Sequence, residues 1–143
     1  MFNNILTVCI GNICRSPSAE RILQHLLPSK EVTSAGIGAL VDHAIETNAA
    51  ELLDKNGYNS KKHKARQVSN GIINSAELIL VMEKRHRQVL INKYPSAAGK
   101  IMLLGKWNKD EEIPDPYRKS TEAFERAYKQ IEKNCQAWAQ KLK

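Results

Sequence analysis

The chain has 143 residues, 42% of them hydrophobic and 26% charged, with a formal net charge of +7; this suits one packed domain over residues 1–143 and lacks any apolar run of roughly eighteen residues able to cross a membrane. The opening MFNNILTVC has neither the basic nor the long apolar region of a secretory signal, so a cytoplasmic protein with no membrane insertion is expected, and three cysteines, Cys9, Cys14 and Cys135, do not suggest a disulfide framework. The basic groups SKKHKAR at 60–66 and EKRHRQ at 83–88 carry no aromatic interleaving and no groove-reading motif; nucleic acid is not expected as a partner, and the positive surface reads as solvated and attractive to anionic substrates.

NILTVCI is a short, β-rich apolar run that ends at Gly11 and Asn12, a strand entering a loop. From Ser16 the pattern turns helical: Ser16 is placed to cap, Pro17 suits the first helical position, and Ile22, Leu23, Leu26 and Leu27 form the apolar face. KEVTSAGIG reads as a second strand, and AIETNAAELLDKNG as a helix with Ala49, Leu52 and Leu53 inward and Gly57 at its stop. AELILVMEK is nearly uninterrupted apolar sequence, as a central parallel strand covered on both faces requires. RHRQVLINKYP then reads as helix, KIMLL as a strand, and TEAFERAYKQIEKNCQAWAQKLK as a long helix with Phe124, Ala127, Ile131, Cys135 and Trp138 along one side.

Strands alternating with helices predict an α/β fold: a three-layer, four-stranded parallel sheet flanked by helices, with the ligand site beyond the carboxyl ends of the strands. Residues 9–16 fall there. Between Cys9 and Arg15 the loop Ile10, Gly11, Asn12, Ile13 and Cys14 is long enough to curl its backbone N–H groups toward one centre, a nest that binds an anion. Gly11 offers conformational freedom for the curl, Asn12 tolerates the left-handed region, and the following helix adds its positive end. Arg15 can hold two phosphate oxygens through its planar fork. Cys9, at the base of the loop, has its thiolate stabilised by the same amides and guanidinium and becomes a nucleophile under a bound phosphorus. Neither a Walker-type nor a dinucleotide loop is spelled here, and the cysteine and histidine spacings match no zinc site, so no metal or cofactor is expected.

VCIGNICRSP resembles the phosphate loop of the low-molecular-weight protein tyrosine phosphatases, and IPDPY at 113–117 resembles their acid loop. TSAGIGAL, HKARQV, LILVME, LLGKW and STEAFE extend the likeness over nearly the whole chain, toward the bacterial branch associated with capsule and exopolysaccharide export. The resemblance implies phosphotyrosine hydrolysis through a phosphocysteine, with Arg15 binding phosphate and stabilising the transferring group. Asp115, between Pro114 and Pro116, would be the acid that protonates the phenolate and then the base toward water. It further implies that Ser16 steadies the thiolate and that Asn12, Ser34 and His63 hold the loop in shape. Leu40 and Tyr117 would form the substrate mouth, and Cys14 would pair reversibly with Cys9 under oxidation. Cys135 reads as core.

As a partner the resemblance suggests a phosphotyrosine protein, and specifically a bacterial tyrosine autokinase, met by a monomer or a weakly self-associating protein. Three rival activities differ from this reading in single features. A phosphoarginine phosphatase carries threonine where this chain has Ile13. A thiol-dependent arsenate reductase needs a mid-chain cysteine relay, and only Cys135 follows Cys14. A phosphotyrosine-binding module has no need for both Cys9 and Asp115.

Overall fold

The computed structural model describes residues 2–143. Strand β1 (Asn4–Cys9) leads through the loop into α1 (Arg15–Leu26), then β2 (Glu31–Gly36), α2 (Thr47–Lys55), α3 (Asn70–Ser75), β3 (Leu78–Val81), α4 (Lys84–Lys93), a 3-10 turn (Pro95–Lys100), β4 (Ile101–Leu103) and α5 (Thr121–Leu142). All four strands pair in parallel in the order β2-β1-β3-β4. This is the four-stranded parallel sheet expected from the sequence.

Alternation along the strands divides the core into two layers. Ile5, Leu78, Leu80 and Met82 face α1, α2 and α5, whereas Leu6, Val8, Ile79 and Val81 face Ile73 of α3 and Leu90 of α4. Both faces of β1 and β3 are therefore covered, which explains why LILV carries no polar residue. Ile22, Leu23 and Leu53 are completely buried on the first face, each contributing about 1.5–3 kcal/mol of hydrophobic stabilisation. The long helix α5 packs its Phe124, Ala127, Ile131, Cys135 and Trp138 onto that face, and the Trp138 indole N–H donates to the carbonyls of Leu103 and Leu104 just past β4. Cys135 is core, as its position on the helix implied.

The chain moves from β1 outward to β2, then returns to the other side of β1 with β3 and continues to β4. The strand order reverses between β1 and β3, and an open parallel sheet presents its ligand crevice at that point. The segments leaving these two strands, 10–14 and 82–83, are the ones that meet there.

Helix α1 departs from the sequence expectation. It begins at Arg15, so Pro17 sits in its third position, and neither Ser16 nor Cys14 caps it with a side chain. The Ser16 hydroxyl is instead turned to Cys9 and Asn12. The cap is lost because a buried partner inside the loop competes for the same oxygen. The Ser18 hydroxyl meanwhile donates back to the carbonyl of Cys14 at 2.7 Å. At α2 the cap is Glu46, whose carboxylate accepts from the amides of Asn48 and Ala49, and Gly57 ends the segment at φ 88°.

Candidate active site

The loop after β1 is built by turning its carbonyls outward. Those of Cys9, Ile10, Gly11 and Ile13 accept from the amides of Ile37, Gly38, Leu40 and Glu46 at 2.8–3.0 Å. The Asn12 carbonyl accepts from the His63 ring at 2.7 Å, and that of Cys14 accepts from the amide and hydroxyl of Ser18. No protein acceptor among the described residues takes the amides of residues 10–14, and donors grouped in this way can bind an anion.

The backbone conformation needed for the curl is carried by Asn12, at φ 59°, and not by Gly11, which keeps a negative φ. A side-chain network locks Asn12 there. Its Nδ2 donates to Ser16 Oγ at 2.8 Å and Ser34 Oγ at 3.0 Å, and its Oδ1 accepts from the Arg66 amide at 2.9 Å. Ser34 in turn donates to Glu20 at 2.6 Å. Asn12 is wholly buried, so each of these bonds also averts the desolvation cost of an unpaired amide. The glycine that the loop does require is Gly36, where a Cβ would lie 2.4 Å from the Ile10 carbonyl oxygen.

Cys9 Sγ lies 3.0 Å from Ser16 Oγ and 3.4 Å from the Ser16 amide nitrogen. Because Ser16 Oγ already accepts from Asn12, its own hydrogen can point at sulfur at 3.0 Å, the Ala35 carbonyl being a more distant acceptor at 3.5 Å, and there it stabilises negative charge. His63 must carry its proton on Nε2 to donate to the Asn12 carbonyl; burial pulls this ring below the ordinary histidine value, which favours the neutral form. Ser34 and His63 thus both bond to Asn12, one to its side chain and the other to its carbonyl.

Arg15 is 2% exposed. Its Nη1 donates to Glu83 Oε2 and, at 2.8 Å, to the Ile113 carbonyl, while Nη2 lies 3.7 Å from Asp115 Oδ2. Burial pushes the Glu83 carboxyl up, but hydrogen bonds from Arg85 and Arg15 and the charge of Arg15 outweigh it, holding Glu83 below the usual carboxylate range. His86, completely buried, sits with Nε2 3.5 Å from the same Glu83 oxygen, and among the described residues neither ring nitrogen has a hydrogen-bond partner. Burial and then the Arg15 charge pull it down to about 4. Glu83 and His86 were not singled out from the sequence, although VMEKRH, a charged segment directly after a fully buried strand, marks the carboxyl end of a central strand.

Cys9, Gly11, Ile13 and Arg15 line one cleft of about 200 Å³ with Asp115, Leu40 and Tyr117. Leu40 and Tyr117 are each 37% exposed, so Leu40 stands at the opening and not in the core. Asp115 accepts from the Tyr117 amide at 3.0 Å, and the Arg118 guanidinium lies 5.3 Å from the Tyr117 ring centre. Cys14 is buried, lines the same cleft and is a free thiol like Cys9; desolvation, then the neighbouring Cys9, push its ionisation well up. A thiol, an anion nest, a buried guanidinium and a carboxylate on one small cleft can together transfer a phosphoryl group from an ester to sulfur and then to water.

The family model for low molecular weight phosphotyrosine protein phosphatase matches residues 4–143. The chain is 48% identical over 142 residues to the low molecular weight protein-tyrosine-phosphatase Wzb of Escherichia coli K12, covering 99% of this chain and 97% of that one. Among solved structures it is similar to Wzb of Escherichia coli K30 in complex with sulphate (46% identity, TM-score 0.97, all of both chains covered). It is also similar to Vibrio vulnificus Wzb in complex with benzylphosphonate (46% identity, TM-score 0.96, 99% of both chains covered).

Proposed function

Because the chain belongs to the low molecular weight phosphotyrosine protein phosphatase family and is a phosphoric monoester hydrolase acting on phosphotyrosine, we propose that its chemistry runs through Cys9, Arg15 and Asp115. The observation that carries this reading is that Cys9, Arg15 and Asp115 line one cleft whose loop amides are free to bind phosphate. The Cys9 thiolate attacks phosphorus, forming the S–P bond as the P–O bond to the phenol breaks. Asp115 delivers its proton to the departing phenolate oxygen, a leaving group that needs one because a phenol ionises only near pH ~10. Arg15 and the amides of residues 10–14 hold the equatorial oxygens throughout and gain strength as charge spreads onto them.

In the second step water attacks the phosphocysteine, the Asp115 carboxylate takes its proton, and Cys9 leaves as a thiolate steadied by the Ser16 hydroxyl. Glu83 and the Ile113 carbonyl orient Arg15 from behind. The cleft mouth of Leu40 and Tyr117 suits a phenyl ring, and the apolar Ile13 suits it better than a guanidinium. The benzylphosphonate bound by the Vibrio relative unites the two groups this cleft would take, a tetrahedral anion and an aromatic ring.

As the substrate we assign a tyrosine autokinase controlling capsule or exopolysaccharide production, because the similar proteins include Wzb and AmsI, names matching the branch that the sequence resembles. The reaction belongs in the cytoplasm, where its three free thiols stay reduced. Incubating the enzyme with the autophosphorylated kinase and with an unrelated phosphotyrosine protein tests the assignment. Preferential dephosphorylation of the kinase is expected; cleavage of the unrelated protein alone rejects this partner, and cleavage of phosphoarginine alone rejects the phosphotyrosine reading.

A further inference from the structure

Asp115 faces two concavities. One is the cleft that holds Cys9; the other, of about 570 Å³, lies on the far side of the Pro114–Pro116 ridge against the first half of α5. Its apolar surface comes from the prolines with Ala123 and Ala127, and its cations are Lys119, Arg126 and Lys129. These three are exposed, and no carboxylate lies within 4.0 Å of any of them among the described residues. Their neighbour Lys133 differs, being tied to Glu111 at 3.3 Å. The one other acid of the groove, Glu112, is already engaged by the Lys84 amide at 2.7 Å, and Glu122 and Glu125 of the same helix do not line it.

From this continuity and charge we infer that the groove behind the acid loop binds the peptide flanking the phosphotyrosine, and that Lys119, Arg126 and Lys129 select substrates carrying acidic side chains there. The inference rests on the phosphotyrosine reading of the neighbouring cleft. A substrate with its phosphate in the loop leaves past Leu40 and Tyr117, and an extended strand advances about 3.3 Å per residue, so a few residues carry it over the proline ridge. Pro114 and Pro116 give that ridge a fixed backbone with no donor to compete for the peptide. Three unpaired cations beside an apolar strip suit a chain of alternating apolar and acidic residues, and their field also speeds its approach.

Two phosphotyrosine peptides identical except for glutamates or glutamines on both sides of the phosphotyrosine test this, with para-nitrophenyl phosphate as a substrate too small to reach the groove. The acidic peptide is expected to show a kcat/KM about three- to tenfold higher at low salt, from up to three exposed pairs, and to lose that advantage as salt rises. In the combined Lys119→Glu, Arg126→Glu and Lys129→Glu variant the advantage disappears while turnover of the small ester stays within about twofold of wild type. If reversal also abolishes the small-ester reaction, the corresponding triple glutamine variant gives the comparison. Equal rates for the two peptides in wild type, or an acidic preference that survives the substitutions, overturns the inference. Failure to cleave any of the three substrates instead overturns the phosphatase reading beneath it.

Discussion

Arg15 and Glu83 form an ion pair across the point where the strand order reverses, one residue leaving the loop after β1 and the other following β3. The guanidinium that faces the cleft is therefore oriented from the neighbouring strand and not only by its own loop.

Removing that orientation should separate binding from chemistry only slightly, because Arg15 serves both. Glu83→Gln is expected to lower kcat/KM by about tenfold to a hundredfold through misaligned phosphate contacts, and Glu83→Ala to cost in addition about 3 kcal/mol of stability by stranding a buried charge. Steady-state kinetics beside denaturant unfolding checks both. Wild-type kinetics in Glu83→Ala would show that the Ile113 carbonyl alone suffices.

Asp115 is expected to matter in proportion to how badly the leaving group needs a proton. Asp115→Asn should slow cleavage of phenyl phosphate by about a hundredfold or more, and slow an ester of a strongly acidic phenol far less. The slope of log kcat against leaving-group pKa, steeper in the variant, is the measurement.

Acid stability should be governed in part by His86. An unfolded chain takes up a proton on this ring as the pH falls through 6.5, whereas the folded ring, held down by burial and by Arg15, resists until about 4. Its contribution is therefore complete above pH 6.5 and is lost as the pH falls from 6.5 toward 4, by at most about 3 kcal/mol. Burial lowers His63 in the same sense, and Glu83, held below its free value of 4.5, adds loss only beneath that pH. Urea unfolding of wild type and His86→Leu across this range isolates the His86 share: the variant should give the flatter curve.

Cys14 lines the cleft as a buried, protonated thiol beside the nucleophile. Peroxide should oxidise the Cys9 thiolate to the sulfenic acid with release of hydroxide, and the Cys14 thiol should then displace water from that sulfur to form the disulfide, which dithiothreitol reduces. After a peroxide pulse, Cys14→Ser is expected to recover far less activity than wild type. Equal recovery would remove Cys14 from this role.

Much of this was legible beforehand because it rests on local pattern. The apolar runs NILTVC and LILV announce covered strands, and C-x5-R followed by Ser-Pro announces an anion loop opening a helix. What escaped the sequence depends on competition between partners distant along the chain. Ser16 looked like a helix cap, yet Cys9 and Asn12 claim its hydroxyl. Of the two positions the sequence offered for the curl, Asn12 takes the left-handed conformation and Gly11 does not, and what the sequence did not show is that Ser34, Arg66 and His63 hold Asn12 there from later segments. Glu83 and His86 are ordinary charged residues in a basic run until the sheet sets them behind Arg15, and the short α3 has too few residues to show a period.

The central claim is that Cys9 carries the phosphoryl group. The most direct measurement is phosphate release from a phosphotyrosine peptide under reducing conditions with a chelator present, comparing wild type with Cys9→Ser, followed by mass spectrometry of rapidly quenched wild type. Turnover in wild type, its abolition in Cys9→Ser, and one phosphoryl group on the peptide containing Cys9 are the expected results. Appreciable turnover by Cys9→Ser, or a phosphoryl group trapped on another residue, would contradict the account.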